Sequence, residues 1–251
     1  MATHQFELLD NGIARITLSS GPGNPMTPEF LDELNTRLSK LTEQPPRALI
    51  LDAGDSKIFS GGFALPVIAH WKRKEIREFF ANFLKALEQL ILLPCPTFCA
   101  LNGHAIAGGF IMSLGCDFRV VRKGNLKLGL SEVDLGVAVP LGTQLLFAER
   151  TCRHTATRYS MFGELFSSED ALKTGYAIAS ADDAFAKALE MATTLSQKPG
   201  DGVRDTKLLY AKTLSRRVKA ADESGLEVFL DSWFSKQGQQ YIQALAEKLS
   251  R

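Results

Sequence analysis

Residues 97–117 read TFCALNGHAIAGGFIMSLGCD, and their pattern of apolar and glycine residues is the clearest indication of the fold class. The apolar run Thr97–Leu101 predicts a buried strand, and Asn102-Gly103 is a turn signal. The apolar residues that follow Gly108-Gly109 predict a buried helix. Such continuous apolar runs are typical of strands and helices that are covered on all sides. The stretch therefore predicts an α/β protein.

A membrane span is the alternative interpretation of this region. The 28 residues from Gln89 to Cys116 carry no charged side chain, which is long enough to cross a bilayer. However, Pro94, Pro96 and the Asn102-Gly103 turn interrupt any continuous helix. We therefore expect a helix end, a strand, a turn and a second helix, and no membrane partner.

The chain before this region alternates between short strands and helices. Asp10-Asn11-Gly12 separates two apolar runs and predicts a hairpin. Thr27 caps a helix with Pro28 at its first position, and the helical period continues to about Glu43. The remaining predicted elements are strands at Phe6–Leu9, Ile13–Leu18 and Ala48–Leu51, a loop at Gly54–Gly62, and a helix at Lys74–Leu93.

The chain after this region becomes mainly helical. Strands are predicted at Phe118–Val121 and Leu126–Leu128. One helix is predicted to begin at Ser167 or Ser168. Further helices are predicted at Ala181–Leu195, Val203–Leu214 and Gly225–Leu249. We therefore predict an α/β core domain over residues 1–199 and a helical region over residues 200–251, with a hinge near residue 200.

Composition excludes several classes of protein. The chain has 251 residues, and its 29 Lys+Arg against 28 Asp+Glu give a formal net charge of +1. A near-neutral chain has no strong global attraction to nucleic acid or to anionic membranes. The four cysteines, Cys95, Cys99, Cys116 and Cys152, lie among apolar residues and are expected to be buried thiols. The first ten residues have neither a basic start nor an apolar segment, so we expect a cytoplasmic protein.

Two glycine-rich points are candidates for ligand contact. They are Phe59–Phe63 and Asn102–Gly109, and glycines there let a ligand approach the backbone closely. Two N–H groups from separate loops can form an oxyanion hole. The alternative is that these glycines serve only tight turns and close packing. The spacing fits neither a dinucleotide-binding motif nor a phosphate-binding loop.

A third candidate is the acid pair Glu132 and Asp134 in an otherwise apolar stretch. A carboxyl group in an apolar pocket has a raised pKa and can act as an acid or base near neutral pH. The alternative is an ordinary ion pair. The scattered histidines show no metal-ligand spacing, so we expect no metal site.

These segments together resemble the crotonase superfamily, the enoyl-CoA hydratase/isomerase fold. Lys57–Phe63 is similar to the family's K-x-F-[SA]-x-G-x-D loop, and residues 102–117 to its N-G-x-A-x-G-G-G…C-D segment. Leu130–Gly136 is similar to its P-E-x-x-x-G segment, and Gly142-Thr143-Gln144 to the G-T-Q that follows. The departures are Ala64, where the family usually has Asp, and a Pro140-Leu141-Gly142 stretch that is one residue short.

The resemblance implies a spiral of repeated ββα units with a helical C-terminal trimerisation region that packs onto a neighbour. The expected assembly is a homotrimer or a dimer of trimers. Large apolar residues in the tail favour this, because aromatic residues are enriched at subunit interfaces. They are Leu226, Val228, Phe229, Trp233 and Phe234.

The resemblance also implies acyl-CoA thioester substrates. The backbone N–H groups of Phe63 and Gly108 would form the oxyanion hole, and Glu132 would be the catalytic residue. The other implied substrate-binding residues are Ser60, Gly61, Gly62, Gly109, Ile111 and Pro140. Candidates for the CoA 3′-phosphate are Lys72, Arg73, Arg216 and Arg217. No cofactor is implied beyond the coenzyme A that the substrate carries.

The choice of reaction depends on which carboxylates are present. Hydratases of the family use two glutamates, and Ile111 stands at the position of the first. Dienoyl-CoA isomerases add an aspartate, whose position reads as Pro140 here. One glutamate suffices for a 1,3-proton shift, so the pattern favours a Δ3,Δ2-enoyl-CoA isomerase with Glu132 as the proton shuttle.

Two alternatives stay open. One is another reaction of the family, such as hydration or decarboxylation, with His104 or Asp134 as a further acid or base. The other is an acyl-CoA-binding protein without turnover.

Overall fold

A computed structural model describes residues 2–250. Its main sheet has six strands, of which the first two form an antiparallel hairpin and the others pair in parallel. In their spatial order the strands are β1 (His4–Leu8), β2 (Ile13–Leu18), β3 (Ala48–Asp52), β5 (Thr97–Leu101), β7 (Phe118–Arg122) and β9 (Ala179–Ala181). The predicted α/β class and the predicted hairpin are confirmed.

A second, smaller sheet lies beside the first and has three parallel strands. They are β4 (Ile58–Ser60), β6 (His104–Ile106) and β8 (Leu128–Gly129), with β6 in the middle. The sequence predicted only a loop at Gly54–Gly62, because β4 is a three-residue strand too short to show a periodic pattern.

Ten α-helices and one 3₁₀ turn (Glu132–Leu135) lie within residues 2–250. The α-helices are α1 (Pro28–Glu43), α2 (Leu65–Ile68), α3 (Arg73–Leu92), α4 (Gly108–Gly115), α5 (Leu141–Arg150), α6 (Arg153–Phe162), α7 (Ser168–Lys173), α8 (Ala184–Ser196), α9 (Gly202–Trp233) and α10 (Lys236–Leu249).

The hydrophobic core divides along the alternation of the strands. In β3, Ala48 and Ile50 face helix α8, whereas Leu49 and Leu51 face the larger core that holds α1, α3 and α4. The larger core also contains the apolar face of α1. This helix is capped at its N-terminus by Thr27, which accepts a hydrogen bond from the Phe30 N–H. Both faces of the main sheet are therefore covered by helices.

The C-terminal helices differ from their prediction in two ways. First, α9 is a single helix through Gly225, where the sequence predicted a new start, and it ends at Trp233. The predicted helix Gly225–Leu249 is therefore divided between α9 and α10. A Cβ at Gly225 would lie 2.9 Å from the Leu141 side chain, so this glycine permits a close helix contact. Second, Phe229 and Trp233 are 4% exposed in this chain's own core. The predicted use of these two rings in a subunit interface is therefore wrong, and the division at residue 199 stays a prediction.

The cysteines are free, and three of the four are buried as expected. Cys152 is exposed, so the prediction of burial is wrong for it. It caps the N-terminus of α6, where its Sγ accepts a hydrogen bond from the Thr155 N–H at 3.4 Å.

Candidate active site

The candidate site lies where the three strands of the small sheet end. Because β4, β6 and β8 are parallel, their carboxyl ends meet at one edge of the sheet. Strand β4 leads to Gly62 and Phe63, β6 leads to Gly108, and β8 leads to Glu132. The sheet therefore brings together the three motifs that are far apart in sequence, with Gly108 after the middle strand.

The loop after β4 leaves one N–H group without an acceptor. Gly61 donates to the Gly23 carbonyl at 2.9 Å, Gly62 to Ser60 Oγ at 3.1 Å, and Ala64 to the Met26 carbonyl at 3.0 Å. The Phe63 N–H donates to no acceptor within residues 2–250. The pairing with Met26 holds this loop in an extended form, so the Phe63 N–H is directed to the other side.

The second candidate donor is the N–H of Gly108, the first residue of α4. The first N–H groups of a helix have no intrahelical acceptor, and the Gly108 N–H finds none elsewhere in the described chain. Its direction depends on Ala107, which has a φ of 49° and donates to the Gly129 carbonyl at 2.9 Å. Such a backbone is strained for a residue other than glycine. The sequence analysis missed Ala107, because alanine gives no signal of this conformation.

The two donors lie close together. A methyl group on Gly62 would be 2.9 Å from the Gly108 nitrogen, and one on Gly108 would be 3.2 Å from the Phe63 ring. The Phe63 ring packs edge-on against Phe79 and Phe83, at 4.9 and 5.0 Å between centroids, which fixes the loop on α3. Two adjacent unbonded N–H groups can stabilise one oxygen atom that gains negative charge.

The neighbouring residues Ser60, Gly61 and Gly109 have different surroundings. Ser60 is fully buried, and its hydroxyl donates to the Asn24 carbonyl at 2.8 Å. A Cβ at Gly109 would overlap the Ser60 backbone, so this glycine allows α4 to pack on β4. Gly61 is exposed. Of these three, only Gly61 is open to solvent.

Glu132 begins the 3₁₀ turn that follows β8, and the turn ends at Gly136 with a φ of 69°. The residue is half-buried, and its Oε2 is shielded from solvent without a hydrogen-bond partner in the described chain. Burial raises the pKa of Glu132 to about 7, against the opposing effect of the N–H groups of Glu132 and Ser131. A carboxyl with this pKa is suited to both accept and donate a proton near neutral pH.

Asp134 is less suited to chemistry. The stretch from Glu132 to Leu135 is a 3₁₀ turn and not a strand. Asp134 is exposed, and a Cβ at Gly163 would lie 3.1 Å from its Oδ1. Its carboxylate is therefore directed toward solvent and the end of α6.

The other candidates lie around this edge or away from it. Ile111 is buried one turn into α4, and Pro140 is buried at the N-cap of α5. His104 Nδ1 accepts a hydrogen bond from the Lys127 N–H at 3.0 Å. Burial, with Lys127 and Arg122, lowers the pKa of His104. The His104 ring therefore serves as an acceptor between β6 and the chain before β8.

The basic candidates divide into paired and exposed side chains. Arg73 bonds Glu227 at 2.6 Å and Asp231 at 2.7 Å, and Arg217 contacts Glu149 at 2.7 Å. Lys72 and Arg216 are exposed and form no ion pair within residues 2–250. Over the same residues, no helix is long and apolar enough to cross a membrane, and no three or more His, Cys, Asp or Glu cluster as metal ligands.

Comparison with known proteins relates this chain to one family. The family model described as Enoyl-CoA hydratase/isomerase matches residues 9–251. Enoyl-CoA delta isomerase 3 of Arabidopsis thaliana is 28% identical over 187 residues, which cover 72% of this chain and 79% of that protein. Probable enoyl-CoA hydratase EchA17 of Mycobacterium tuberculosis is 26% identical over 227 residues, with 88% and 86% covered.

Among solved structures, the crystal structure of human mitochondrial delta3-delta2-enoyl-CoA isomerase has a TM-score of 0.91 with this chain. The sequence identity is 22%, and the likeness covers 99% of this chain and 98% of that one. This likeness confirms the predicted crotonase fold. Because the family model also matches all but the first eight residues, the chain belongs to the enoyl-CoA hydratase/isomerase family.

Proposed function

We propose that this chain is an acyl-CoA isomerase that moves the double bond of a 3-enoyl-CoA to the 2-trans position. The observation that carries the proposal is the single shielded carboxyl, Glu132, at the edge where the Phe63 and Gly108 N–H groups lie. Position 111, where hydratases of the family have the first of their two glutamates, holds a buried isoleucine.

In the proposed reaction, the thioester oxygen accepts hydrogen bonds from the Phe63 and Gly108 N–H groups. The Glu132 carboxylate takes a proton from C2, and the electron pair of that C–H bond moves toward the thioester oxygen as a dienolate. The protonated carboxyl then returns the proton at C4, and the double bond joins C2 and C3. Atoms and electrons balance, and coenzyme A enters only as part of the substrate.

Hydrogen bonds to the thioester oxygen and proton transfer by Glu132 each have a typical magnitude. Each oxyanion donor typically contributes about 10²- to 10³-fold to the rate. A positioned general acid or base contributes about 10²- to 10⁴-fold. Glu132 meets the requirement for such a group, since its pKa of about 7 allows both protonation states near neutral pH.

Hydration of a 2-enoyl-CoA is the second candidate, because one of the relatives is named a probable hydratase. Hydration needs a carboxylate or equivalent group to hold the water together with Glu132. Ile111 cannot supply it, and the Asp134 carboxylate is directed away. We therefore favour isomerisation. Decarboxylation and acyl-CoA binding without turnover remain outcomes of the test below.

The test is the conversion of trans-3-hexenoyl-CoA to the 2-enoyl ester by the wild type and by Glu132→Gln. We expect turnover in the wild type and a loss of about 10³-fold in the variant, with binding of hexanoyl-CoA retained. Asp134→Asn, in the same turn but exposed, is the matched control and should keep its activity.

Three results would contradict the proposal. Full activity of Glu132→Gln would place the base elsewhere. Faster hydration of trans-2-hexenoyl-CoA than isomerisation would favour a hydratase. Binding of hexanoyl-CoA without turnover of either ester would favour a binding protein or another reaction of the family, such as decarboxylation.

We also propose a homotrimer or a dimer of trimers as the assembly. Large apolar side chains outside the core support a subunit contact: Met161 is 71% exposed and Phe162 is 70% exposed. Light scattering of the purified protein tests this. Four free cysteines favour a reducing compartment, and we propose the cytoplasm.

A further inference from the structure

The segment that follows Glu132 is tied to the long helix α9 at two points. We define it as the linking segment, residues 136–142, which runs from the end of the 3₁₀ turn into the first turn of α5. The Ala138 N–H donates to Ser232 Oγ at 2.9 Å, and the Gly142 N–H donates to Asp222 Oδ1 at 2.9 Å. The linking segment also touches α10, since Gly136 lies against Gly238.

The linking segment in turn holds Glu132. The Val137 N–H donates to the Glu132 carbonyl at 3.0 Å, and the Gly136 N–H donates to the Val133 carbonyl at 3.0 Å. A shift of the linking segment therefore moves the backbone of Glu132. The Glu132 Oε2 is shielded from solvent, so a shift of this backbone changes how much water it meets.

Asp222 is an unusual hydrogen-bond acceptor for the linking segment, because it is a buried acid that is not paired with a cationic side chain. It is 5% exposed, and it forms no ion pair within residues 2–250. Burial raises the pKa of Asp222 to about 6, and its hydrogen bond from the Gly142 N–H opposes this. Gly142 fits this contact, since a Cβ there would overlap the carboxylate.

The surroundings of Asp222 offset the free-energy cost of burying its carboxylate. It faces a cavity of about 280 Å³ between α3 and α9, where the other charged side chains are Lys85, Glu88, Lys219 and Glu223. On its other side it meets the first turn of α5, whose N–H groups and dipole favour a negative charge. A charge-assisted hydrogen bond to a helix N-terminus is stronger than a neutral one.

We propose that Asp222 and Ser232 are positioning residues that hold the linking segment and thereby keep Glu132 shielded from water. Neither touches the reacting atoms. Helix α9 acts on Glu132 through residues 136–142. The effect on turnover rests on the proposed function, whereas the effect on Glu132 itself does not.

The first experiment measures kcat and KM for trans-3-hexenoyl-CoA from pH 5 to pH 9 in Asp222→Leu, Asp222→Asn and Ser232→Ala. Asp222→Leu and Ser232→Ala should lower kcat about tenfold, the size of one lost hydrogen bond, with KM within about twofold. The apparent pKa of kcat should fall from near 7 toward the ordinary range of glutamate, because Glu132 gains water. Asp222→Asn keeps the acceptor and should restore most of the activity.

Ser215→Ala is the matched control, since Ser215 is buried on the same helix but contacts Glu88 of α3 at 3.3 Å. It should leave both kcat and the apparent pKa unchanged. A loss of activity with an unchanged apparent pKa in Asp222→Leu and Ser232→Ala would show a merely structural role and overturn the proposal. So would an equal effect of Ser215→Ala.

A second measurement separates this proposal from the proposed function. We compare thermal unfolding with and without Glu132→Gln at pH 5 and pH 8, in the wild type and in Ser232→Ala. Glu132→Gln should raise the unfolding temperature at pH 8, because it removes a shielded carboxylate. In Ser232→Ala this rise should be at most half as large, even if no substrate is turned over. An equal gain in both backgrounds would overturn the positioning role, whatever the activity.

Discussion

Gly62 and Gly108 approach each other so closely that a methyl group on Gly62 would lie 2.9 Å from the Gly108 nitrogen. The Gly62 backbone also has a φ of 93°, which L side chains rarely adopt. A side chain at position 62 is therefore disfavoured by the backbone and by the space it would fill. That space lies in front of an N–H group with no acceptor in the described chain.

Gly62→Ala should therefore remove the oxyanion site. We expect kcat/KM for trans-3-hexenoyl-CoA to fall by about 10²- to 10³-fold, the effect of losing one donor. Steady-state kinetics measures the loss, and circular dichroism checks that the variant is folded.

Gly61→Ala is the control for this substitution. A Cβ at Gly61 would meet only the Gly23 carbonyl oxygen, at 3.7 Å, which is an ordinary contact. Its kcat/KM should stay within about threefold of the wild type, since surface substitutions of this kind have small effects. An equal loss of kcat/KM in both variants would mean that any substitution in this loop lowers activity. It would contradict a specific role of Gly62 beside the Gly108 N–H.

Local signals in the sequence were sufficient for the elements that they punctuate. Thr27-Pro28 predicted the start of α1, and the helix does begin at Pro28. Asp10-Asn11-Gly12 predicted the hairpin, whose turn has Gly12 at a φ of 76°. In these places the chemistry of one cap or turn decides the backbone, so the residue types alone are informative.

Signals that depend on a distant partner were misread or absent. Gly225 looked like a helix boundary, but it lies inside α9 because Leu141 packs against it. Ala107 adopts its strained backbone because the small sheet and α4 hold it from both sides. Asp222 carried no motif, and its contact with Gly142 spans 80 residues. A local pattern cannot report contacts that only the tertiary structure creates.

The activity should follow the ionisation of Glu132. Burial raises the pKa of this carboxyl to about 7, and only the ionised form can take the proton from C2. We therefore expect kcat/KM to rise tenfold per pH unit below pH 6 and to level off above pH 8. An apparent pKa near 4.5, the ordinary value of a glutamate, would contradict the shielding of Glu132.

The same pKa predicts how Glu132 affects stability. The unfolded chain ionises Glu132 near pH 4.5 and the folded chain near pH 7, so the folded state holds the extra proton between these values. The contribution of Glu132 to the free energy of unfolding therefore falls as the pH rises from about 4.5 to about 7. Above that range the contribution stays constant.

Glu132→Gln should remove this cost. We expect the variant to be more stable than the wild type by about 1–3 kcal/mol at pH 8, with a clearly smaller gain at pH 5. Urea unfolding at the two pH values measures both gains. Asp134→Asn is the control and should change stability by less than about 0.5 kcal/mol, because Asp134 is exposed. A gain that does not depend on pH would contradict the raised pKa of Glu132.

The C-terminal aromatic residues should behave as core residues of a single chain. Phe229 is 4% exposed and stacks on Phe80 with 4.5 Å between ring centroids, whereas its neighbour Val228 is 64% exposed. Phe229→Ala should lower the free energy of unfolding by about 3–5 kcal/mol, the usual cost of a buried phenylalanine. Val228→Ala should cost less than about 0.5 kcal/mol. Because the Phe229 contact lies within one chain, its cost should not depend on protein concentration. If only Val228→Ala were destabilising, and only in dilute protein, α9 would depend on a neighbouring subunit and not on α3.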